Sequence, residues 1–271
     1  MKFFEGCTAL ITGASAGLGA EFAQQLAPYA NTLVLVARRS DRLEALRAEL
    51  AEAHPRTYVF IYAADIAQPE QLLAFTKWLQ DQGIGIDFLI NNAGLGDRGN
   101  FEDSDWDRVQ SMLDVNITAL TRLTHLLLPA MRSSGRGAIL NVSSIASFLP
   151  LPKSAVYAAT KAYVTSFSEA LRIELKGTGI SVTAVCPGPV DTEFFDVASR
   201  GQEPDYSAGS EAGEMFVVTA EEVVRSGLRA VAMDKARVVP GAIVCLAMAA
   251  TALVPLFILR KILQSRFDSG K

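Results

Sequence analysis

Short apolar runs alternate with longer stretches of helical period along almost the whole chain. The runs CTALIT (7–12), NTLVLVA (31–37), TYVFIYA (57–63), DFLIN (87–91), GAILNVS (137–143), SVTAVC (181–186) and ARVVP (236–240) are rich in β-branched or aromatic residues. Runs of that length and composition predict buried strands. Between them, LGAEFAQQLAPYA, SDRLEALRAELAEA, PEQLLAFTKWLQDQG and DWDRVQSMLDVNITALTRLTHLLLPAMRS place apolar residues at helical spacing. Ser40 is the expected cap of the second, Pro69 suits a first helical turn and Gly83 a stop. Thr219 and Glu222 have the spacing of a capping box for a later helix. Such alternation predicts an α/β fold, a parallel sheet covered by helices on both faces, occupying residues 1–241 as one domain.

Two regions break the pattern. Residues 193–218 are rich in Gly, Ser and charge yet hold Phe194, Phe195, Tyr206, Met215 and Phe216, which suggests a lid with apolar contacts. Residues 242–259, within a tail running to 271, contain no charge, with Lys235 and Arg237 before them and Arg260 and Lys261 after. This segment is at the lower limit of spanning length and is interrupted by Pro255. Packing against the protein or another subunit is the leading expectation, and membrane association through 242–259 the second.

Composition narrows the function by exclusion. The net charge of the 271-residue chain is −4, which gives no basic footprint for nucleic acid. Cys7, Cys186 and Cys245 are far apart and form no CxxC pair, so neither a disulfide framework nor a thiolate metal site is indicated, and a reducing, cytoplasmic setting fits. His54 and His125 lack carboxylates at ligand spacing, so no metal is expected. The opening MKFFEG is too short for a secretory signal before the first apolar run.

The first strand runs into TGASAGLG (12–19) and then a helix. There Gly13, Gly17 and Gly19 would let the backbone turn sharply and approach a pyrophosphate at the helix N-terminus. The second strand ends in Arg38 and Arg39 with no carboxylate. An acidic residue there would receive the ribose 2′-OH of NAD(H), whereas guanidinium groups suit a 2′-phosphate, so NADP(H) is favoured over NAD(H). In YAATK (157–161), Tyr157 and Lys161 lie four positions apart and so leave the same face of a helix.

Taken in order, TGASAGLG, the DI of Asp65 and Ile66, NNAG (91–94), Asn116 in LDVNITA, NVSS (141–144), YAATK and PGPVDT (187–192) resemble the short-chain dehydrogenase/reductase family over about residues 5–192. The resemblance implies a doubly wound Rossmann fold with a seven-stranded parallel sheet and a homodimer or homotetramer. It also implies a catalytic set of Asn116, Ser144, Tyr157 and Lys161; the family's spacing between serine and tyrosine favours Ser144 over Ser143. The cofactor contacts it implies are Gly13, Ser15, Gly17, Leu18, Gly19, Arg38, Arg39, Asp65, Ile66, Asn92, Ala93, Gly94, Tyr157, Lys161, Pro187, Gly188, Val190 and Thr192. Asp65 would lie near the adenine, Asn91 with Ala93 and Gly94 near the adenosine ribose, and Val190 and Thr192 near the carboxamide.

The implied reaction is hydride transfer between NADP(H) and a carbonyl or secondary alcohol, with Tyr157 as general acid/base. A free tyrosine titrates near 10, and the positive charge of Lys161 is expected to lower it toward neutrality, with Ser144 polarising the substrate oxygen and Asn116 supporting a proton path to solvent. The aromatic lid and apolar tail suggest an apolar substrate. Two other functions share parts of the pattern: a nucleotide sensor without hydride chemistry, and a nucleotide-sugar epimerase or dehydratase.

Overall fold

Successive residues of a strand face opposite sides of a sheet, and the central strands are apolar on both sides, so they feed two cores; the run at 57–63, expected to be buried, lies at the sheet edge and is partly exposed, with Tyr58 and Phe60 open to solvent. The computed structural model describes residues 2–198 and 217–269. Its strands are β1 (Thr8–Thr12), β2 (Thr32–Ala37), β3 (Tyr58–Ala63), β4 (Phe88–Asn91), β5 (Gly137–Val142), β6 (Ile180–Val185) and β7 (Arg237–Val238). They form one seven-stranded sheet in the order β3-β2-β1-β4-β5-β6-β7, with every pairing parallel. The order reverses between β1 and β4, where open parallel sheets leave a crevice at the carboxyl ends of their strands.

On one face, Ala9, Ile11, Leu33, Leu35, Ile90 and Leu140 pack with Phe22 and Leu26 of α1 (Gly17–Leu26), Leu43 and Leu50 of α2 (Ser40–Ala53) and Leu228 of α8 (Ala220–Ala232). On the other, Leu10, Val34, Val36, Leu89 and Ile139 meet α3 (Pro69–Asp81) through Leu72 and Phe75, α5 (Leu120–Ser134) through Leu123, and α6 (Ala155–Glu174) through Leu171.

Local signals match in most places. Pro69 opens α3, Gly83 follows its end at φ +66°, and the Thr219 hydroxyl accepts from Glu222 N. Ser40 instead lies inside the first turn of α2 and makes no side-chain cap bond, Arg39 standing at the cap position. The long helical run at 105–133 is divided into α4 (Trp106–Leu113), a π-helical turn (Asp114–Ala119) and α5.

Of the expected lid, residues 199–216 lie outside the described residues; α7 (Glu193–Ala198) precedes them, and Val218 bridges back to Val190. The tail forms α9 (Ala242–Ala252) and α10 (Leu256–Ser269). No helix among the described residues is long and apolar enough to cross a membrane. Nor is the tail buried in its own subunit as a whole. Val244 is buried, but Leu246, Leu253 and Phe257 are 73%, 86% and 65% exposed.

Candidate active site

The turn after β1 is shaped by backbone that has no room for side chains. A Cβ on Gly13 would stand 2.8 Å from Ala93 Cα, and one on Gly19 would stand 2.2 Å from the carbonyl oxygen of Gly13. Thr12 and Asn92 lock this approach: Thr12 Oγ1 accepts from the amides of Asn92 and Ala93, and Asn92 Nδ2 donates to the Thr12 carbonyl at 2.9 Å. The start of α1 has no side-chain cap at Ala16, so its first amides are available to an anion. Thr192 closes the turn from across the crevice, its side chain 3.4 Å from where a Gly17 Cβ would lie. A glycine cradle with uncapped helical amides fits the pyrophosphate of a dinucleotide.

Several expected contacts are engaged elsewhere through their side chains. Asn91 donates to Thr124 Oγ1 and Asn141 Oδ1 in the interior, so its side chain faces away from any ribose, as strand alternation requires of the neighbour of Asn92. Asp65 Oδ1 accepts from Ala67 N ahead of α3. Ile66 is buried in the second core, Leu18 packs against the first, and Val190 is buried beside Val218. The carbonyl of Pro187, which precedes Gly188, accepts from Ile145 N and ties the β6 loop to the β5 loop.

At the end of β5, Ser143 and Ser144 have different tasks. Ser143 Oγ donates to the Lys161 carbonyl and is bonded to Thr165, pinning α6 to the sheet. Ser144 Oγ accepts from Ala146 N and lies beside the Tyr157 phenol, whose pKa it lowers. Lys161 is buried, its Nζ donating to the Val142 carbonyl at 2.9 Å and lying 5.8 Å from the centre of the Tyr157 ring. Burial pushes the Tyr157 phenol up to about 12, against a lowering by Ser144, and pushes Lys161 down to about 8.

This reverses the expectation that Lys161 would draw the phenol toward neutrality. Dehydration is the larger influence, and the ammonium is directed at a carbonyl. Tyr157 is therefore protonated at neutral pH, the form that can donate.

Asn116 lies in the π-helical turn and is buried. Its side chain is fully engaged: Oδ1 accepts from Leu95 N, while Nδ2 donates to the Leu95 carbonyl and to Thr160 Oγ1, which in turn donates to the Tyr157 carbonyl. Its geometry is that of a brace between the β4 loop and the helix turn carrying Tyr157. Thr160 was not evident from sequence, because its importance depends on a partner 44 positions away.

The two arginines after β2 also separate. Arg39 donates to Ser15 Oγ in the glycine turn, while Arg38 makes no side-chain hydrogen bond or ion pair among the described residues. Arg42 joins Arg39 from the first turn of α2, both paired with Glu193. Their three-residue spacing puts both on one side of the helix start, a signal legible in the sequence.

Residues 7–203 match the family model described as short chain dehydrogenase. The chain is 41% identical to a sulfoacetaldehyde reductase of Chromohalobacter salexigens over 198 residues, 71% of this chain and 76% of that protein. Among solved structures, a short-chain dehydrogenase from Sphingobium yanoikuyae in complex with NADPH superposes with a TM-score of 0.78 at 33% identity, covering 96% of this chain and 95% of that one. The bulky-bulky ketone specific alcohol dehydrogenase of Comamonas testosteroni superposes with a TM-score of 0.73 at 29% identity, covering 97% and 92%. With the parallel sheet, the glycine cradle and the Ser144–Tyr157–Lys161 cluster, these matches place the chain in the short-chain dehydrogenase/reductase family of nicotinamide-dependent oxidoreductases.

Proposed function

We propose that the protein is an NADP(H)-dependent carbonyl reductase acting on apolar ketones or aldehydes, and that Tyr157 is its proton donor. The observation that carries this reading is the protonated Tyr157 held against Ser144 with the Lys161 ammonium behind it. NADPH, when bound in the cradle, supplies the hydride. Ser144 donates to the substrate carbonyl oxygen and orients it toward Tyr157. As negative charge grows on that oxygen, the Tyr157 O–H bond breaks and its proton moves there; Lys161 and Ser144 then stabilise the phenolate until it is reprotonated. Asn116 acts through Thr160 as a positioning residue, keeping this turn of α6 in place. The Phe194 ring, 5.8 Å from that of Tyr157, makes the approach to the site apolar, and the ketone preference named for the Comamonas testosteroni structure accords with it.

The NADP(H) preference rests on Arg39 and Arg42, which form a guanidinium pair at the end of β2, and is supported by the NADPH complex of the Sphingobium yanoikuyae relative. Steady-state kinetics with each nucleotide test it. The expected kcat/KM favours NADPH over NADH by at least about 100-fold, since each charged hydrogen bond contributes about 1.5–3 kcal/mol; the Arg39→Gln/Arg42→Gln variant erases most of that ratio by weakening NADPH alone. A wild-type preference for NADH overturns this assignment.

The exposed apolar face of α9 and the first turn of α10 is assigned to contact with a second copy of the chain, because α9 has no polar face and needs cover. Light scattering is expected to give a multiple of 29.1 kDa for the wild type, and a shift to the single-chain mass for Leu246→Glu/Leu253→Glu. A single-chain mass for the wild type, with binding to lipid vesicles, would assign the face to a membrane surface instead.

A further inference from the structure

A carboxylate of this chain already sits where the proposed cofactor would bring its phosphate. Glu193, the first residue of α7, receives Arg39 Nη1 at 3.0 Å on one oxygen and Arg42 Nη1 at 2.5 Å on the other. Arg39 simultaneously donates through Nε and Nη2 to Ser15 Oγ, at 3.3 and 3.2 Å. One guanidinium thus joins the glycine turn, the end of β2 and the segment after β6. The two arginines hold the Glu193 carboxyl below its ordinary range, so it is an anion throughout the neutral region.

The same short helix reaches the reaction centre. Phe194 packs its ring on Tyr157 and lies over Gly96, where an added Cβ would meet it at 2.9 Å. At the far end, the carbonyl of Ala198 accepts from Arg98 N. Helix α7 is therefore fastened by an ion pair at the arginines and rests on Tyr157 one residue later.

We propose that Glu193 is an internal stand-in for the 2′-phosphate of the cofactor, and that a 2′-phosphate displaces it and so releases α7 from over Tyr157. The inference rests on the NADP(H) reading above and adds a gate to it. A 2′-phosphate brings up to two charges and three acceptor oxygens to the guanidinium pair, against one charge and two oxygens from Glu193. The contact it must replace is half exposed, at 43% for each arginine and 50% for Glu193, and exposed ion pairs exchange readily. The 2′-OH of NAD(H) carries no charge with which to compete for the arginines, so it leaves Glu193 paired and α7 latched. By linkage, whatever loosens α7 also strengthens binding of the 2′-phosphate.

The test separates this gate from the cofactor preference beneath it. Adenosine 2′,5′-bisphosphate and adenosine 5′-monophosphate are titrated calorimetrically into wild type and Glu193→Gln, a surface substitution of the same size. The gate predicts that Glu193→Gln binds the bisphosphate about 10-fold more tightly, about one charge-assisted contact, with the monophosphate unchanged. It also predicts that the bisphosphate, but not the monophosphate, speeds amide hydrogen exchange across 193–198 in the wild type. If the wild type prefers the bisphosphate but Glu193→Gln changes neither affinity nor exchange, the gate is wrong and the NADP(H) preference stands. An equal gain for both nucleotides also removes the gate, leaving only general repulsion by Glu193. No preference for the bisphosphate in either protein removes both.

Discussion

Replacing Tyr157 with phenylalanine lowers the rate of carbonyl reduction by about 1,000-fold, the middle of the range for a positioned general acid, while nucleotide affinity stays within about twofold. The substitution removes one hydroxyl and keeps the ring that packs on Phe194, so the seat of α7 is unchanged. The lost proton donor has no substitute at hand: the Ser144 hydroxyl can hydrogen-bond the carbonyl oxygen, but an aliphatic alcohol is a far weaker acid than a phenol and does not give up its proton. Single-turnover absorbance with NADPH and a bulky ketone measures the rate, and fluorescence titration measures the affinity. Turnover within tenfold of the wild type would remove Tyr157 from the mechanism.

Replacing Lys161 with methionine lowers the rate by about 100-fold and abolishes an alkaline limb that the wild type shows near pH 8. A unit charge 5.8 Å from the centre of the phenol ring, taken as the separation from the delocalised phenolate charge at an effective dielectric near 20, stabilises that charge by about 3 kcal/mol, about two powers of ten. In the folded protein Lys161 loses its proton at about 8, so this support is present below pH 8 and fades above it, well before Tyr157 itself titrates near 12. Stability separates the catalytic loss from misfolding. Because the Lys161 pKa falls from 10.5 to about 8 on folding, burying the ammonium opposes folding below pH 8, and the opposition declines as pH rises toward 10.5. Methionine removes that cost at neutral pH while leaving the Val142 carbonyl without its donor, two effects of opposite sign, so the melting temperature moves little. A rate profile that falls only near pH 12, unchanged by the substitution, would assign no role to the Lys161 charge.

The sheet was legible because seven apolar runs of strand length fall between amphipathic stretches, and the observed strands lie within one residue of those runs at most ends. The π-helical turn at Asp114–Ala119 was not. Widening a helix by a residue leaves the spacing of apolar positions nearly intact, and the long pattern from Asp105 to Ser133 reads as one helix. Adjacent residues at strand ends posed the opposite difficulty. Asn91 and Asn92, like Ser143 and Ser144, point to different sides of the sheet, and composition does not say which side meets the crevice. Family spacing chose Ser144, which lies beside the Tyr157 phenol, while Ser143 is turned to Lys161 and Thr165; the same resemblance sent Asn91 toward a ribose, whereas its side chain bonds Thr124 and Asn141.

Charge behaviour depends on burial, which is a property of the fold. The Tyr157–Lys161 spacing gave the proximity correctly, but the dehydration that raises one pKa and lowers the other comes from the packing of α6 against β5. Glu193 meets Arg42 across 151 positions of sequence, a separation no local pattern encodes. The tail shows the same division between what is local and what is not: its apolar character is written in residues 242–259, whereas the exposure of Leu246 and Leu253 is set by how little of the domain lies beside α9.

The measurement that bears most directly on the account is isotope transfer from NADPH deuterated at the nicotinamide C4 position, incubated with a bulky apolar ketone and the wild-type protein. Mass analysis is expected to find one deuterium on the carbinol carbon of the alcohol produced, in amounts matching the NADPH consumed, and almost none with Tyr157→Phe over the same interval. Nucleotide that binds tightly while no labelled alcohol forms from a broad panel of ketones and aldehydes would contradict the account and make the protein a nucleotide-binding member of the family without hydride chemistry.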